Sequence, residues 1–458
     1  MRHIKFYKKV ITGVLILFAF SCSDDLLDKD PVSSFSGQGF YKTPSDAQAG
    51  VYGIYDALQS TCRVNIAYWG EGRADAVSTN HSGDPVALKQ NALSQSMTSA
   101  RWNNIYETIS RANYAIKYIP TVFETESELS LQLVGQAKAL RALSYFYAVR
   151  VWGDVPLITE PYESVQQEFF IPKTNKELVL DKIVEDLVFA STHCKENHSG
   201  DKTRILFTTG AANALLTQVY MWRKQYGEAI EAAEKVLDNT LYALVPINDW
   251  SKIFTSGYSN ESIFEVGYNE TQTNALRVLY ALGSDSDYFP SASFKDAFEA
   301  GDLRKDLIYD TTNANPKKIW KFFGQGFNDE SPDPSDNNIV LIRLADIILL
   351  KAEAHAKLNN PDEALKLLNL IRKRADIPEL DEAQAATLYG DLEAAILHER
   401  LIELAFEGHR WFDLVRTGKA ITVMNPINGL SDEANFVWPI HEDALNRNPN
   451  LEQNNFYK

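Results

Sequence analysis

The chain reads as mainly α-helical, built from antiparallel helix pairs that carry one long loop-rich insertion with short strands. Three observations lead to that class. Residues 339–375, IVLIRLADIILLKAEAHAKLNNPDEALKLLNLIRKRA, read as two helices joined by a tight turn at Asn359 and Asn360. Residues 208–237 repeat the same layout. Residues 242–338 lose helical periodicity and become rich in Gly, Ser, Asp and aromatics.

In the first pair, residues 340–358 are apolar on most faces (Leu341, Leu344, Ile347, Ile348, Leu350), with Ala345, Ala352, Ala354 and Ala356 where a neighbour can approach. A helix apolar nearly all round is a buried one. Asn360, Pro361 and Glu363 then form a helix start, with Asn as cap, Pro in the first turn and Glu three residues on. Ala364, Leu367, Leu368 and Ile371 fall at i, i+3, i+4, i+7, a single buried stripe. A pair buried on several sides needs further pairs beside it.

From the N-terminus, residues 1–9 are basic and 10–20 almost unbroken apolar, followed by Ser21, Cys22, Ser23, Asp24 and Asp25. An apolar run this short after a positive end is a secretory signal and too short to span a bilayer. The expected division is a signal peptide at 1–21 and one domain at 22–458. Cys22 resembles the acylated first residue of a bacterial lipoprotein, although Ala19 stands where that pattern prefers Leu. Several acyl chains at about 0.8 kcal/mol per buried CH₂ would hold such a chain on a membrane. The two acidic residues after Cys22 resemble a surface-export signal of Bacteroidetes lipoproteins.

Residues 44–60 read as a helix, 63–85 as a loop, 99–119 as an amphipathic helix and 128–152 as a longer helix stopped by Gly153 and Pro156. Asn113, bordering the apolar stripe of 99–119, is expected to bond between helices. A helix follows at 176–190. In residues 208–237, Ala212, Leu215, Leu216 and Val219 mark one helix, and Ala229, Ala232, Ala233 and Val236 the next. This spacing resembles tetratricopeptide-like helix pairs. The copies are far apart, so the expected layout is a helical frame, about 40–240 and 339–458, holding an insertion at about 242–338. Within the insertion, 262–268 and part of 317–323 alternate like strands. Tyr258, Tyr280, Tyr288, Phe289, Trp320 and Phe327 stud its loops, and long irregular segments on a rigid frame are where binding usually resides.

The chain has 458 residues and a formal charge of −16. Arg2, Lys5, Lys8 and Lys9 lie in the leader, so the exported chain is more acidic still. Nucleic acid is therefore not an expected partner. Beyond Cys22 only Cys62 and Cys194 remain, too few to specify a disulfide framework, and two free, partly buried thiols are expected.

Four further segments carry a family resemblance: RALSYFYAVRVWGDVPL (141–157), IRLADIILLKAEA (342–354), ERLIELAFEGHRWFDLVR (399–416) and WPIHEDALNRNPNLEQN (438–454). Together with Cys22 they resemble the SusD/RagB family of outer-membrane nutrient-binding lipoproteins, over nearly the whole mature chain. The resemblance implies a helical frame of tetratricopeptide-like pairs and a partner, a TonB-dependent transporter of the SusC type. It also implies glycan capture without a cofactor, at a site that varies between members. Glu399, Arg400, Glu403, Glu407, Arg410, Asp413 and Arg416 resemble an acid–base cluster, but opposite charges three or four apart on a helix are ion pairs far more often.

For a glycan, the local candidate is the run from Tyr68 to Asp75. Trp69 would be a stacking platform, Arg73 and Asp75 hydroxyl partners, and Gly70 and Gly72 would give access, with His81 in the same stretch. Equally, Trp69 can pack beneath its loop while Arg73 and Asp75 hold it. Trp102, Trp320 and Tyr288 are further candidates, although Trp102 and Trp320 each lie on a periodic element where core burial is the commoner outcome. Two other functions stand beside glycan binding. One is a lid or interaction scaffold for a transporter carrying peptide or another nutrient. The other is a glycoside hydrolase, which needs two carboxylates about 5–10 Å apart. HExxH, GxSxG, P-loop and CxxC motifs are absent, and so is a DxDxDG calcium loop. No catalytic residue or metal ligand is assigned, and the expectation is a binding protein.

Overall fold

The computed structural model describes residues 37–125, 127–282, 285–313, 317–325 and 335–458; the leader, Cys22 and Phe327 lie outside them. The frame is a row of helices in which each packs on the next. Pro44–Gly70 meets Asn103–Tyr118, then come Glu128–Trp152, Lys176–His193, Thr209–Trp222 and Tyr226–Leu237. Tyr226–Leu237 packs directly on Leu344–Lys357, which in turn meets Pro361–Arg374 and Leu392–Glu403. Helix pairs more than 100 residues apart are thus neighbours in space, and the chain between them leaves the row and re-enters it. Small residues permit this approach: Ala229, Ala232 and Ala233 on one side and Ala345, Ala352 and Ala354 on the other are all buried.

Glu128–Trp152 lies at the centre, with Ala137 through Val149 buried almost without a break. Inside this greasy helix Arg141 is buried too, held by both oxygens of Asp186 at 2.8 and 3.0 Å. Arg141 also donates to Asn113 Oδ1 at 2.8 Å, and Asn113 donates to the Ile158 carbonyl, the inter-helix role expected of it.

Four local readings are corrected. The first helix continues to Gly70 rather than ending at Ser60, because Thr61, Cys62, Ile66, Ala67 and Trp69 extend its buried stripe. Residues 339–343, expected as the start of a helix, form a strand, Ile339–Arg343, antiparallel to Ser262–Val266 with Val266 opposite Ile339. A short, fully buried apolar run suits either state, and here strand pairing wins. Asn360 precedes Pro361 as expected, but its side chain makes no cap hydrogen bond. The stretch 317–323 contributes only a single bridge, Tyr309 to Ile319.

The insertion's aromatics build a second core. Trp250, Phe254, Tyr280, Tyr288, Phe294 and Phe322 pack with Phe406, so Tyr280, Tyr288 and Trp320 are interior and not loop ornaments. Beneath this core lies a dense ionic cluster. Arg343 reaches Glu261 at 2.7 Å, Glu403 at 2.6 Å and Glu407 at 2.8 Å. Arg304 joins Asp302, Glu399 and Glu403, and Lys321 joins Glu407. Arg400 pairs with Asp346 and Asp413, and Arg416 with Glu353 and Asp413. The charged residues of 399–416 therefore form ion pairs, as expected, but mostly across elements; Asp413–Arg416 is the local pair. Burial alone would raise the Glu403 carboxyl, yet Arg374, Arg343 and Arg304 override it and hold the group well below the ordinary range.

Candidate functional site

The run from Tyr68 to Asp75 sits where the first helix ends against the 404–410 turn. Gly70 is needed there: a Cβ would fall 1.9 Å from the Gly408 carbonyl oxygen, and Gly408 itself has φ +86°. Glu71 Oε1 accepts from the backbone N–H groups of Gly408 and His409 at 2.9 and 3.2 Å. Burial pushes the Glu71 carboxyl up to about 8, against the pull of these donors.

This packing decides the fate of the predicted sugar contacts. Trp69 is 0% exposed, its indole N–H donating to the Ser99 carbonyl at 2.9 Å and its ring against Trp152 and Tyr147, so it presents no face to a ligand. Arg73 lies 4.1 Å over the Trp411 ring and donates to Asn91 and to the Asn435 and Phe436 carbonyls, tying the loop to the C-terminal segment. Burial with no carboxylate beside it brings Arg73 down to about 10. Asp75 is clasped by Arg410 through two 2.8 Å bonds. Burial would raise its carboxyl, but Arg410 holds it below the ordinary range. The stacking and hydroxyl-binding roles expected of Trp69, Arg73 and Asp75 are thereby corrected. They hold their loop, the alternative weighed beside the glycan role. Tyr288 and Trp320 are likewise interior, the former at 0% and the latter at 5% exposed.

Two of the predicted residues reach the surface. Half-buried Tyr68 donates to Asp287 Oδ2 at 2.7 Å, and the exposed His81 ring has Nδ1 3.8 Å from Asp287 Oδ1. Trp102, only 8% exposed, sits at the back of an open groove of about 310 Å³. One wall of that groove is aromatic: Trp102 meets Tyr106 edge to face at 5.4 Å, and Tyr162 stacks on Phe169 at 5.1 Å. Its rim is polar, with Asn103, Asp443, Arg447 and Asn448. Asp443 is paired with Arg101 at 2.5 Å, and Asn448 donates to the Ile171 carbonyl at 2.9 Å, which fixes the loop that bears Phe169. Phe169 is 47% exposed, an aromatic face turned to water. Aromatic planes beside amides and a guanidinium can take the C–H faces and hydroxyls of a sugar ring. Among the described residues, no cluster of three or more His, Cys, Asp or Glu side chains is placed to hold a metal ion, and no helix is long and apolar enough to cross a membrane. Cys62 and Cys194 are both free and buried.

The family model described as the SusD family matches residues 267–457, and a second, described as starch-binding associating with outer membrane, matches residues 56–221. SusD-like protein P38 of Formosa agariphila is 32% identical over 98% of this chain and 99% of its own length. The chain belongs to the SusD family. A SusD-like protein of Bacteroides ovatus is 26% identical over 89% of the chain and 81% of its own length. Among solved structures, a SusD homolog from Bacteroides thetaiotaomicron superposes with a TM-score of 0.78 at 26% identity, over 93% of this chain and all of the other. A laminarin-binding SusD-like protein superposes with a TM-score of 0.76 at 25% identity, covering 91% of this chain and 100% of the other. The mainly helical SusD architecture expected from the sequence is thus the one observed.

Sequence reasoning missed Tyr162, Phe169, Arg447 and Asn448. The only available signal was the pair Phe169 and Phe170 in an aperiodic, polar stretch closed by Pro172. Nothing local linked that stretch to Trp102 or to the C-terminal residues across the groove.

Proposed function

We propose that this protein is a cell-surface lipoprotein that binds a polysaccharide or oligosaccharide and delivers it to a SusC-like, TonB-dependent outer-membrane transporter. The observation that carries the reading is the Trp102–Phe169 groove, where the exposed Phe169 ring and a polar rim match a sugar ring and its hydroxyls. The family supports it, since a neighbour of the same fold binds laminarin and one matching model describes starch-binding proteins associated with the outer membrane. The edge formed by Tyr68, Asp287 and His81 offers a second set of hydroxyl partners. Acylation at Cys22, with removal of residues 1–21, would anchor the chain to the outer membrane facing outward.

The protein acts by binding and not by bond cleavage. The carboxylates of the 399–416 motif are engaged by guanidinium groups, and Glu71 is sealed from solvent, so these groups do not serve as a free acid and base. An open, polar-rimmed site of this kind gives affinities of about −4 to −8 kcal/mol, millimolar to micromolar. Many copies on one surface gripping one polymer add avidity.

The apolar floor of the same groove, Pro156, Ile158, Ile171 and Leu451, favours a second reading, a transporter lid whose cargo is peptide. Affinity electrophoresis of residues 23–458 through gels containing plant and host polysaccharides separates the two. Retardation by at least one polymer is the expected result. No retardation by any, with binding to peptide pools, would replace the glycan reading by the second. Tagged full-length protein should co-purify a TonB-dependent transporter from detergent-solubilised outer membranes, and a Cys22→Ala chain should leave the membrane fraction.

A further inference from the structure

On a separate part of the frame, two cavities of about 340 and about 440 Å³ adjoin at Tyr52, Lys202 and Leu206, which line both and together make one grooved region. That volume is in the range of small-molecule sites. Tyr52 stands at the junction, 42% exposed, with its hydroxyl accepting from Gln48 Nε2 at 3.1 Å. An aromatic ring left open to water and held by a neighbour is a platform for an apolar sugar face.

The larger cavity is lined by Gln48, Gln132, Gln136 and Asn197, amides that both donate to and accept from hydroxyls. Lys195 and Lys202 line it too and no carboxylate does, although Gln132 donates to the Glu128 carboxylate at 2.7 Å. Neither lysine makes an ion pair among the described residues. Two ammonium groups without an ion-pair partner thus face a cavity that no carboxylate lines. Burial first, then the positive charge of these two lysines, holds His198 below its ordinary value, so the lysines alone supply the charge near neutral pH. The smaller cavity is lined by two carboxylates, both engaged: Asp56 pairs with Arg111 at 2.9 Å with Gln272 beside it, and Glu265 accepts from Asn338 at 2.7 Å and from the Tyr258 N–H at 2.8 Å.

We infer that this groove is a saccharide subsite selective for an anionic sugar residue, with Tyr52 stacking under the ring and Lys195 and Lys202 meeting its carboxylate or sulfate ester. The inference rests on the glycan-binding reading and names the chemical class of sugar. Charge-assisted hydrogen bonds to an anion are the strong ones, and in a chain of net negative charge a local pair of ammonium groups stands out for a polyanion.

The test is affinity electrophoresis of residues 23–458 in polygalacturonate (carboxylate), dextran sulfate (sulfate ester) and laminarin (neutral). Wild type is compared with Lys195→Gln/Lys202→Gln, Tyr52→Ala and Phe169→Ala. All four side chains are exposed or line open grooves, and matching melting curves confirm intact folds. At least one acidic polymer should retard wild type, with which polymer it is distinguishing carboxylate from sulfate. The lysine double variant and Tyr52→Ala should each lose about tenfold or more in affinity for it, the double variant leaving laminarin mobility unchanged. Wild-type affinity for both acidic polymers in the double variant, or no retardation of wild type by either, would overturn the inference. If only laminarin is bound, and Phe169→Ala abolishes that, the glycan reading stands and this inference falls. Silence towards a wide panel of polymers, acidic and neutral, sinks both.

Discussion

Replacing Glu403 by Gln asks whether the charged 399–416 motif is scaffold. Glu403 is fully buried, its Oε1 2.6 Å from Arg343 and 2.5 Å from Arg374, and its Oε2 3.0 Å from Arg304; Trp250 also donates to it at 3.2 Å. The amide keeps the shape but removes the charge that three guanidinium groups share, and it turns an N–H₂ toward one of them. Breaking a buried pair by neutralising one partner costs about 3–5 kcal/mol. At about 2.1 cal/mol/K per residue, a chain of 458 residues unfolds with an entropy near 1 kcal/mol/K, so Tm should fall by about 3–5 °C. Calorimetry at pH 7 reads this directly. The carboxyl is held below its unfolded value, so its stabilisation is fully present above about pH 4.5 and is lost as pH falls through the folded value. The deficit of the variant should therefore be widest near neutrality and narrow in acid. A Tm within 1 °C of wild type at pH 7, or glycan affinity falling while Tm holds, would refute the scaffold argument.

Glu71→Gln should behave in the opposite sense. Burial raises the carboxyl to about 8, so the folded state keeps a proton that the unfolded chain loses near pH 4.5, and wild-type stability declines between those values. Denaturant titrations at pH 5 and pH 9 should show the variant near wild type in acid and more stable than wild type in base; no gain at pH 9 would contradict the assignment. Trp69→Ala should cost about 3–5 kcal/mol of stability, with any loss of binding following the loss of fold, whereas Phe169→Ala should leave urea unfolding unchanged and weaken glycan retention. Burial pushes the Cys194 thiol up to about 12, and Cys62 higher. A thiol reagent should thus find no reactive cysteine in native 23–458 at pH 8 and two after denaturation; one fast-reacting native thiol would show that the helix packing around them opens.

Much of the frame was legible because its signals are local. The continuous apolar run ALRALSYFYAVRVW could only be a buried helix, and its range, Glu128–Trp152, is the one observed. The pair around Pro361 and the pair ending at Leu237 carry stripes of small and apolar residues that announce their partners. Residues 61–70 were harder, since Arg63, Asn65 and two nearby glycines dilute the helical stripe that Ile66, Ala67 and Trp69 complete. The IVLIR strand was hidden because its partner, Ser262–Val266, lies about 75 residues away, and pairing alone decides its state. The site was least legible. Trp69, Arg73 and Asp75 look like a sugar site in one dimension, and become interior because Gly408, Arg410, Trp411 and Asn435 close over them. The groove that does face solvent draws on residues near 102, 169 and 447, a set no sequence window contains.

The central claim is that the chain binds a glycan through the Trp102 groove. Isothermal titration of residues 23–458 with the polysaccharide that retards it most, beside the Phe169→Ala/Arg447→Ala variant, tests it most directly. The account predicts micromolar to millimolar binding by wild type and a loss of about tenfold or more in a variant that melts at the wild-type temperature. Equal affinity in the two proteins would contradict the placement of the site, and no heat with any polymer would contradict the function.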